Sequence, residues 1–355
     1  MEIKKIKLTN FRGHRNFSHH LAPLTIITGP NGIGKTNILE AILLCSTTRS
    51  HRTSYDRDLI RWDQEYARIE VELKEGKETV KIATFLTLVP VFNKNYQING
   101  STQKSSDIVG TLQSVLFSPE TMDLVYGNPA TRRHFMDVIL CQNNRQYLRT
   151  LNQYNRVVRE RNRLLFLINQ NYAQIDELEF WDQELVKLGS LIIEKRQELS
   201  KFLNSSINNY YQSTNGANEK VKIAYKTSVL PPEFMKILQK ERNKEIKYTA
   251  TLFGPHRDDL LFYLNNHPLS SNASRGECRS FVLAIKLSEI DYFKSSNTSP
   301  VLLLDDVFSE LDDKRRQHLT EIIQNQQTII TTAHLTDIDD KIIKKAQIIT
   351  LPVKT

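Results

Sequence analysis

The octapeptide Gly29-Pro30-Asn31-Gly32-Ile33-Gly34-Lys35-Thr36 has the residue types and the spacing that hold a polyphosphate. Its glycines let the backbone turn N–H groups toward phosphate oxygens, and a helix starting at its end adds a favourable dipole. Lys35 would reach the β- and γ-phosphates, and the Thr36 hydroxyl would ligate Mg²⁺. A second chemical signal is Val301-Leu302-Leu303-Leu304-Asp305-Asp306. An apolar strand ending in a carboxylate delivers Asp305 to the phosphate loop, where it holds Mg²⁺ directly or through water. Asp306, one residue on, faces the other side of the strand and is the candidate to orient and deprotonate an attacking water. The third is Ser274-Arg275-Gly276-Glu277, about 28 residues upstream of that strand. Ser and Gly at a helix start make an anion site; taken alone, Ser274 reads equally as a plain N-cap.

These groups need elements to position them. Leu24 to Ile27 is a short apolar run that reads as a buried strand, and Asn37 to Leu44 carries a helical apolar stripe. Strand, glycine loop and helix are the context the first motif requires. Residues 2–8 read as a lysine-guarded edge strand. Period-2 alternation over 67–73, a turn at Glu75-Gly76, strands over 79–88 and 95–98, and a turn at Asn99-Gly100 make the first ~115 residues a mixed sheet with one helix. From Pro129 to about Tyr211 apolar residues recur at three and four, which predicts two or three long helices with a break near 169–176 and an end in a polar loop, 213–218. Strands return at 260–264, 301–304, 328–332 and 348–351, with a helix over 276–293. The expectation is one α/β ATPase lobe split in sequence, 1–118 and 249–355, and a mainly helical insertion lobe, 119–248.

Hydrophobic content of 39%, charged content of 25% and 355 residues fit a globular protein of two domains. The net charge of +8 permits a nucleic-acid partner. Three scattered cysteines, Cys45, Cys141 and Cys278, form no disulfide framework or zinc pattern, so the reducing cytoplasm is expected. No apolar run is long enough to span a membrane and no leader-like segment opens the chain.

The order phosphate loop, Ser-x-Gly helix, acidic strand, then Ser309-Glu310-Leu311-Asp312 resembles ABC-type P-loop ATPase heads. Within them the chain is similar to the RecF family of bacterial DNA-repair ATPases. The segments that carry this likeness are Leu8 to Arg12, Arg49 to Thr53, Asp58 to Arg61, Ser118 to Glu120, Gly127 to Asp137, Gly254 to Leu260 and Leu304 to Asp312. The resemblance implies an ABC-type head with a mixed sheet, a parallel core sheet and a helical second lobe, and no long coiled coil. It implies that Gly29 to Thr36, with Asn37 beside them, bind ATP, with Arg12 near the phosphates. Thr36 and Asp305 would serve Mg²⁺, and Lys35 and Asp306 hydrolysis. Ser274 and Gly276 would touch the γ-phosphate of ATP held by a second protomer, and Asp312 would sit at the dimer seam. His334 stands where ABC heads place a γ-phosphate sensor, and Glu120 near where many carry a Gln.

Family members bind DNA when ATP-bound, dimerise, hydrolyse ATP slowly and act with RecR and RecO to load RecA at gapped duplex or single-strand/double-strand junctions, in DNA replication, damage repair and the SOS response. Glu277 departs from the usual Gln; Arg275 or Arg279 would have to offset its charge beside a phosphate. Arg132, Arg133, Arg145, Arg149, Arg156, Arg159 and Arg163 fall in one helical stretch, the last three on one face. That row suits DNA phosphates, as does Arg49 to Arg57; the plain alternative is a solvated face. The runner-up is another SMC-like head with a different DNA-processing partner. A transporter subunit is disfavoured by Asn10-Phe11-Arg12 and by Gly254 to Leu260.

Overall fold

The computed structural model describes residues 1–76, 78–215, 219–323 and 325–352. Its contacts divide the chain into two units, Met1–Thr121 with Lys286–Thr355, and Met122–Ile285. The first unit begins with β1 (Glu2–Phe11), β2 (His14–His20), β3 (Leu24–Thr28), α1 (Lys35–Thr47), β4 (Tyr66–Glu75), β5 (Glu78–Thr87), β6 (Asn93–Ile98), β7 (Ser101–Gln103), α2 (Ser105–Ile108) and β8 (Ser114–Phe117). The second holds α3 (Asp123–Tyr126), α4 (Pro129–Asn143), α5 (Arg145–Asn169), α6 (Leu178–Asn215), β9 (Val221–Lys226), α7 (Phe234–Tyr248), β10 (Asp259–Leu264), β11 (His267–Pro268) and α8 (Leu269–Asn272). Helix α9 (Arg275–Ser295) runs through the boundary. The first unit then resumes with β12 (Val301–Asp305), α10 (Asp313–Ile323), β13 (Thr328–Thr332), α11 (Asp340–Ile343) and β14 (Gln347–Thr350).

Two sheets share the first unit. One is antiparallel throughout, in the order β2-β1-β4-β5-β6-β7. Strand β1 is therefore not an edge, as its lysines suggested. Lys5 stands opposite Glu72 and Lys7 opposite Glu70, so the lysines are cross-strand partners of acids on β4, and β2 takes the edge. Asn99 and Gly100 both take positive φ, 51° and 82°, the backbone a two-residue hairpin demands. The other sheet is parallel, in the order β14-β3-β13-β12-β8. All five residues of β12 and of β13 are buried, the signature of strands covered on both faces. Parallel order places the C-terminal ends of β3, β12 and β13 along one edge, and that edge holds the chemistry.

The second unit is built on α4, α5 and α6, with Asn128 and Asn144 side chains capping α4 and α5 through the N–H groups of Thr131 and Tyr147. The break between α5 and α6 falls over 170–177, close to the expected one. Helix α6 runs on to Asn215, through the start of the expected polar loop, whose remaining residues 216–218 lie outside the described ones. Strand β10 pairs along its length with β9, forming a three-stranded sheet of this unit; that pairing carries the unit past residue 248 to Ile285. Among the described residues the longest helix, α6, has 38 residues, and no helix is long and apolar enough to cross a membrane.

Candidate functional site

The loop 29–34 leaves the C-terminal end of β3 and enters α1. Gly34 takes φ 111°, and a Cβ there would meet the His14 ring nitrogen at 2.7 Å, so only glycine fits. Its carbonyl accepts a 2.9 Å bond from His14 Nε2, which fixes the proton of that ring on Nε2. His14 is a contact that sequence reading did not single out, because it comes from an edge strand of the antiparallel sheet. Lys35 is buried and folds back over the loop: its Nζ donates to Gly29 O at 2.7 Å and Pro30 O at 3.1 Å, and lies 3.4 Å from Asn31 Oδ1. Burial lowers its pKa, and Asp306 and Asp305 push the other way. The ammonium is thus held by neutral acceptors that an anionic phosphate would displace, since phosphate adds the attraction of a full opposite charge.

Thr36 is the join between the two motifs. Its hydroxyl donates to Asp305 Oδ1 at 2.9 Å, across 269 residues of sequence. Thr331 of β13 donates to the same oxygen at 2.6 Å. A hydroxyl and a carboxylate in contact at a helix start are a hard-oxygen pair of the kind Mg²⁺ takes. Among the described residues no group of three or more His, Cys, Asp or Glu side chains forms a metal cage.

Asp306 takes φ 53°, the left-handed region that Asp and Asn tolerate best after glycine, held by its N–H to Thr331 O at 3.1 Å. Its Oδ1 is buried without a hydrogen-bond partner. Burial raises its pKa; Lys35 opposes this and Asp305 adds to it. A half-buried carboxylate with one unsatisfied oxygen, bonded otherwise to the Ala333 backbone, and with raised basicity is what a general base for water requires.

Around the start of α1 lies a second shell of charge. Glu40 is fully buried and holds Arg12 through both oxygens, at 2.7 and 3.0 Å, while Arg12 Nη1 donates to Asp58 O at 3.0 Å. Arg12 therefore sits near the loop with its fork committed to Glu40. Ser50 also donates to Glu40, at 2.5 Å, and Arg52 donates to the Asn37 side-chain oxygen at 3.0 Å. His51 has both ring nitrogens shielded from water and without a partner. Burial pushes its pKa down, while Glu40, Glu120 and Asp305 oppose that shift. The residues 49–53 entered the sequence reading through family likeness and as a basic run; the buried, unsatisfied imidazole is visible only in three dimensions.

His334 follows β13 and is exposed, its N–H bonded to Thr332 Oγ1 at 3.2 Å. Asp312 is exposed and caps α10, accepting from the Arg315 backbone at 3.0 Å and its guanidinium at 2.6 Å. Ser274 and Gly276 belong to the second unit, at the start of α9. There the Ser274 N–H donates to Glu277 at 2.6 Å and the Glu277 N–H to Ser274 Oγ at 3.3 Å. That reciprocal pair is a capping box, which accounts for Glu277 and lowers its pKa through Ser274, with no arginine needed.

The arginine row also divides. Arg132 is locked to Asp259 at 2.7 and 3.0 Å, and Arg133 donates to Asp258 O at 2.7 Å. Both hold the second unit together instead of facing solvent.

Residues 2–349 match the family described as RecF/RecN/SMC N terminal domain. The DNA replication and repair protein RecF of Lachnoclostridium phytofermentans is 38% identical over 338 residues, covering 94% of this chain and 93% of that protein. The solved structure of the recombination mediator protein RecF with ATP, from the RecFOR pathway, superposes with a TM-score of 0.89 at 30% identity, over 95% of this chain and 93% of that one. An Smc head domain from Pyrococcus furiosus shares the fold, with a TM-score of 0.54 at 16% identity over 95% of this chain and 92% of that one.

Proposed function

The chain belongs to the RecF family, and from that premise we propose that it is an ATP-switched DNA-binding protein of DNA replication and recombinational gap repair. The observation that carries the ATP reading is the 2.9 Å contact of Thr36 with Asp305, which brings the phosphate loop and the acidic strand into one site. In this reading the backbone of Gly29 to Thr36, with Pro30, Asn31, Gly32, Ile33 and Gly34 forming the cradle, and the Asn37 side chain beside it, bind the ATP phosphates. Lys35 exchanges its loop carbonyls for phosphate oxygens. Thr36 and Asp305 would hold Mg²⁺, which would supply charge neutralisation for the phosphates. Asp306 accepts the proton of the attacking water, and the positive-φ backbone aims its free oxygen. Arg12, clamped by Glu40, lines the site, and His334 reports on the γ-phosphate.

Ser274, Gly276 and Asp312 act in trans, on ATP held by a second copy of the chain. Two heads close on two ATP molecules, grip DNA, and open after slow hydrolysis. RecR and RecO are the expected partners at gapped DNA, where they assist RecA loading. Three cysteines, all buried and free, accord with a reducing cytoplasm.

The test is binding of labelled gapped duplex with and without ATP and Mg²⁺, with particle mass recorded alongside. ATP should tighten DNA binding and double the mass together, and Lys35→Met should abolish ATP binding and both effects. ATP binding that changes neither DNA affinity nor mass would overturn the switch.

A further inference from the structure

We propose that the solvent face of α5 is a phosphate-gripping surface for duplex DNA, formed by Arg145, Arg149, Arg156, Arg159 and Arg163. This rests on the DNA-binding reading above and gives it a location. Helix α5 is continuous over Arg145–Asn169, so the five arginines, spaced by four, seven, three and four residues, stay in register. At about 100° per residue they fall within roughly 40° of one line, and at 1.5 Å per residue the row is about 27 Å long.

The opposite face is the core face, with Tyr147, Tyr154, Val157, Leu164 and Ile168 buried. A sixth arginine, Arg161, points inward and is consumed there by Asp182 and Glu245. The five outer ones are exposed. None of them has an ion pair or hydrogen bond among the described residues, and Glu160 is the helix's one acid.

A face that served only solubility would mix signs and set Glu four residues from Arg. This one sets like charges at i,i+3 and i,i+4, and its one acid, Glu160, four residues from Arg156 and three from Arg163, makes no ion pair with them among the described residues, so the row costs helix stability until a polyanion covers it. Arginine in place of lysine adds the planar fork that binds phosphate oxygens in pairs. The length matches about eight base pairs of duplex at 3.4 Å each. Single-strand platforms interleave aromatic rings with the cations; here both tyrosines of the helix are buried and its exposed ring, Phe166, stands beyond the last arginine of the row, so no exposed ring falls between the cations, which favours a duplex read through its backbone, without base specificity.

The experiment compares the full chain with an Arg156→Gln/Arg159→Gln/Arg163→Gln variant and with the corresponding triple Lys variant, in ATP and Mg²⁺. Duplex affinity is measured from 50 to 300 mM salt, on two unrelated sequences. The Gln variant should lower the slope of log K against log salt by roughly 0.9 per arginine and weaken binding at least tenfold, equally on both sequences. The Lys variant should keep most of the slope. ATP binding, measured separately, should be unchanged in both, which excludes misfolding. If the Gln variant keeps wild-type slope and affinity, the row is not the DNA surface and belongs to an acidic protein partner or to solvent. If the wild type itself binds no duplex in any nucleotide state, the DNA reading fails and this proposal with it.

Discussion

Two buried clusters of charge show how differently this chain treats its ionised groups. In the second unit Arg161 is fully buried, and each of its three nitrogens donates: to Asp182 at 2.8 Å, to Thr251 at 2.9 Å and to Glu245 at 2.6 Å. Beside the phosphate loop, Asp306 is half-buried with one oxygen bonded to nothing, and His51 has two buried nitrogens in the same condition. A buried charge without partners costs free energy, so every nitrogen of Arg161 has been given an acceptor while Asp306 Oδ1 has been left open; Arg242, the second cation on Asp182, keeps one buried nitrogen unpaired. The difference separates charge that holds a structure from charge kept for a ligand or a reaction.

Removing Arg161 is the largest test of that contrast. Arg161→Met leaves Glu245 buried without a cation and Asp182 with Arg242 alone, and about 3–5 kcal/mol of stability should be lost. Denaturation followed by Trp181, which packs against the α5–α6 apolar cluster, reads it directly. A loss below about 1 kcal/mol would mean the cluster is not what fastens α5, α6 and α7.

Asp306→Asn should move the other way. It removes the charge from a carboxylate that keeps one oxygen unsatisfied, in a site whose backbone geometry Asn also favours, so stability should hold or rise. ATP turnover should nevertheless fall about 100- to 10,000-fold, the usual worth of a general base. Single-turnover hydrolysis and the same denaturation curve decide it, and a variant that is both less stable and fully active would erase the contrast.

The smallest of the three effects concerns His256. Its Nε2 donates to Thr251 O at 3.0 Å, so Nδ1 is the bare nitrogen and accepts from the Tyr154 hydroxyl at 2.6 Å. Burial, opposed by the Thr251 bond and helped by Arg257 and Arg133, pushes its pKa down to about 4 from the ordinary 6.5. Below pH 6.5 the unfolded chain gains a proton that the folded chain does not. The stability contributed by this neutral histidine is therefore full above pH 6.5 and lost as pH falls toward 4. Between pH 7 and 5 the wild type should lose about 2 kcal/mol more than His256→Gln. Equal slopes for the two proteins would show that the histidine is charged inside the fold.

Much of this was legible in one dimension, and the reason is locality. The phosphate loop, the apolar strand before Asp305 and Asp306, and the long helices from 129 onward are set by neighbours within a few residues, which pattern and spacing report. The misreading of β1 marks where locality ends: lysine on a strand signals an edge only if no acid stands opposite, and Glu70 and Glu72 arrive from 63 to 67 residues away. The same holds for Glu277. Its partner Ser274 is three residues off, but whether a carboxylate there faces a phosphate or caps the helix depends on backbone geometry.

The arginines make the point most plainly. Identity and spacing alone put Arg132, Arg133, Arg145, Arg149, Arg156, Arg159 and Arg163 in one basic stretch, with the last three on one face. Only the tertiary structure assigned Arg132 and Arg133 to Asp259 and Asp258, turned Arg161 inward to Asp182 and Glu245, and joined Arg145 and Arg149 to the outer row. What the sequence by itself determined was the set of chemical groups, their local conformations and the family. What the tertiary structure decided was which charges are spent on one another and which remain available. That outcome depends on long-range packing, because an ion pair between residues 127 positions apart exists only after both have been carried to the same place.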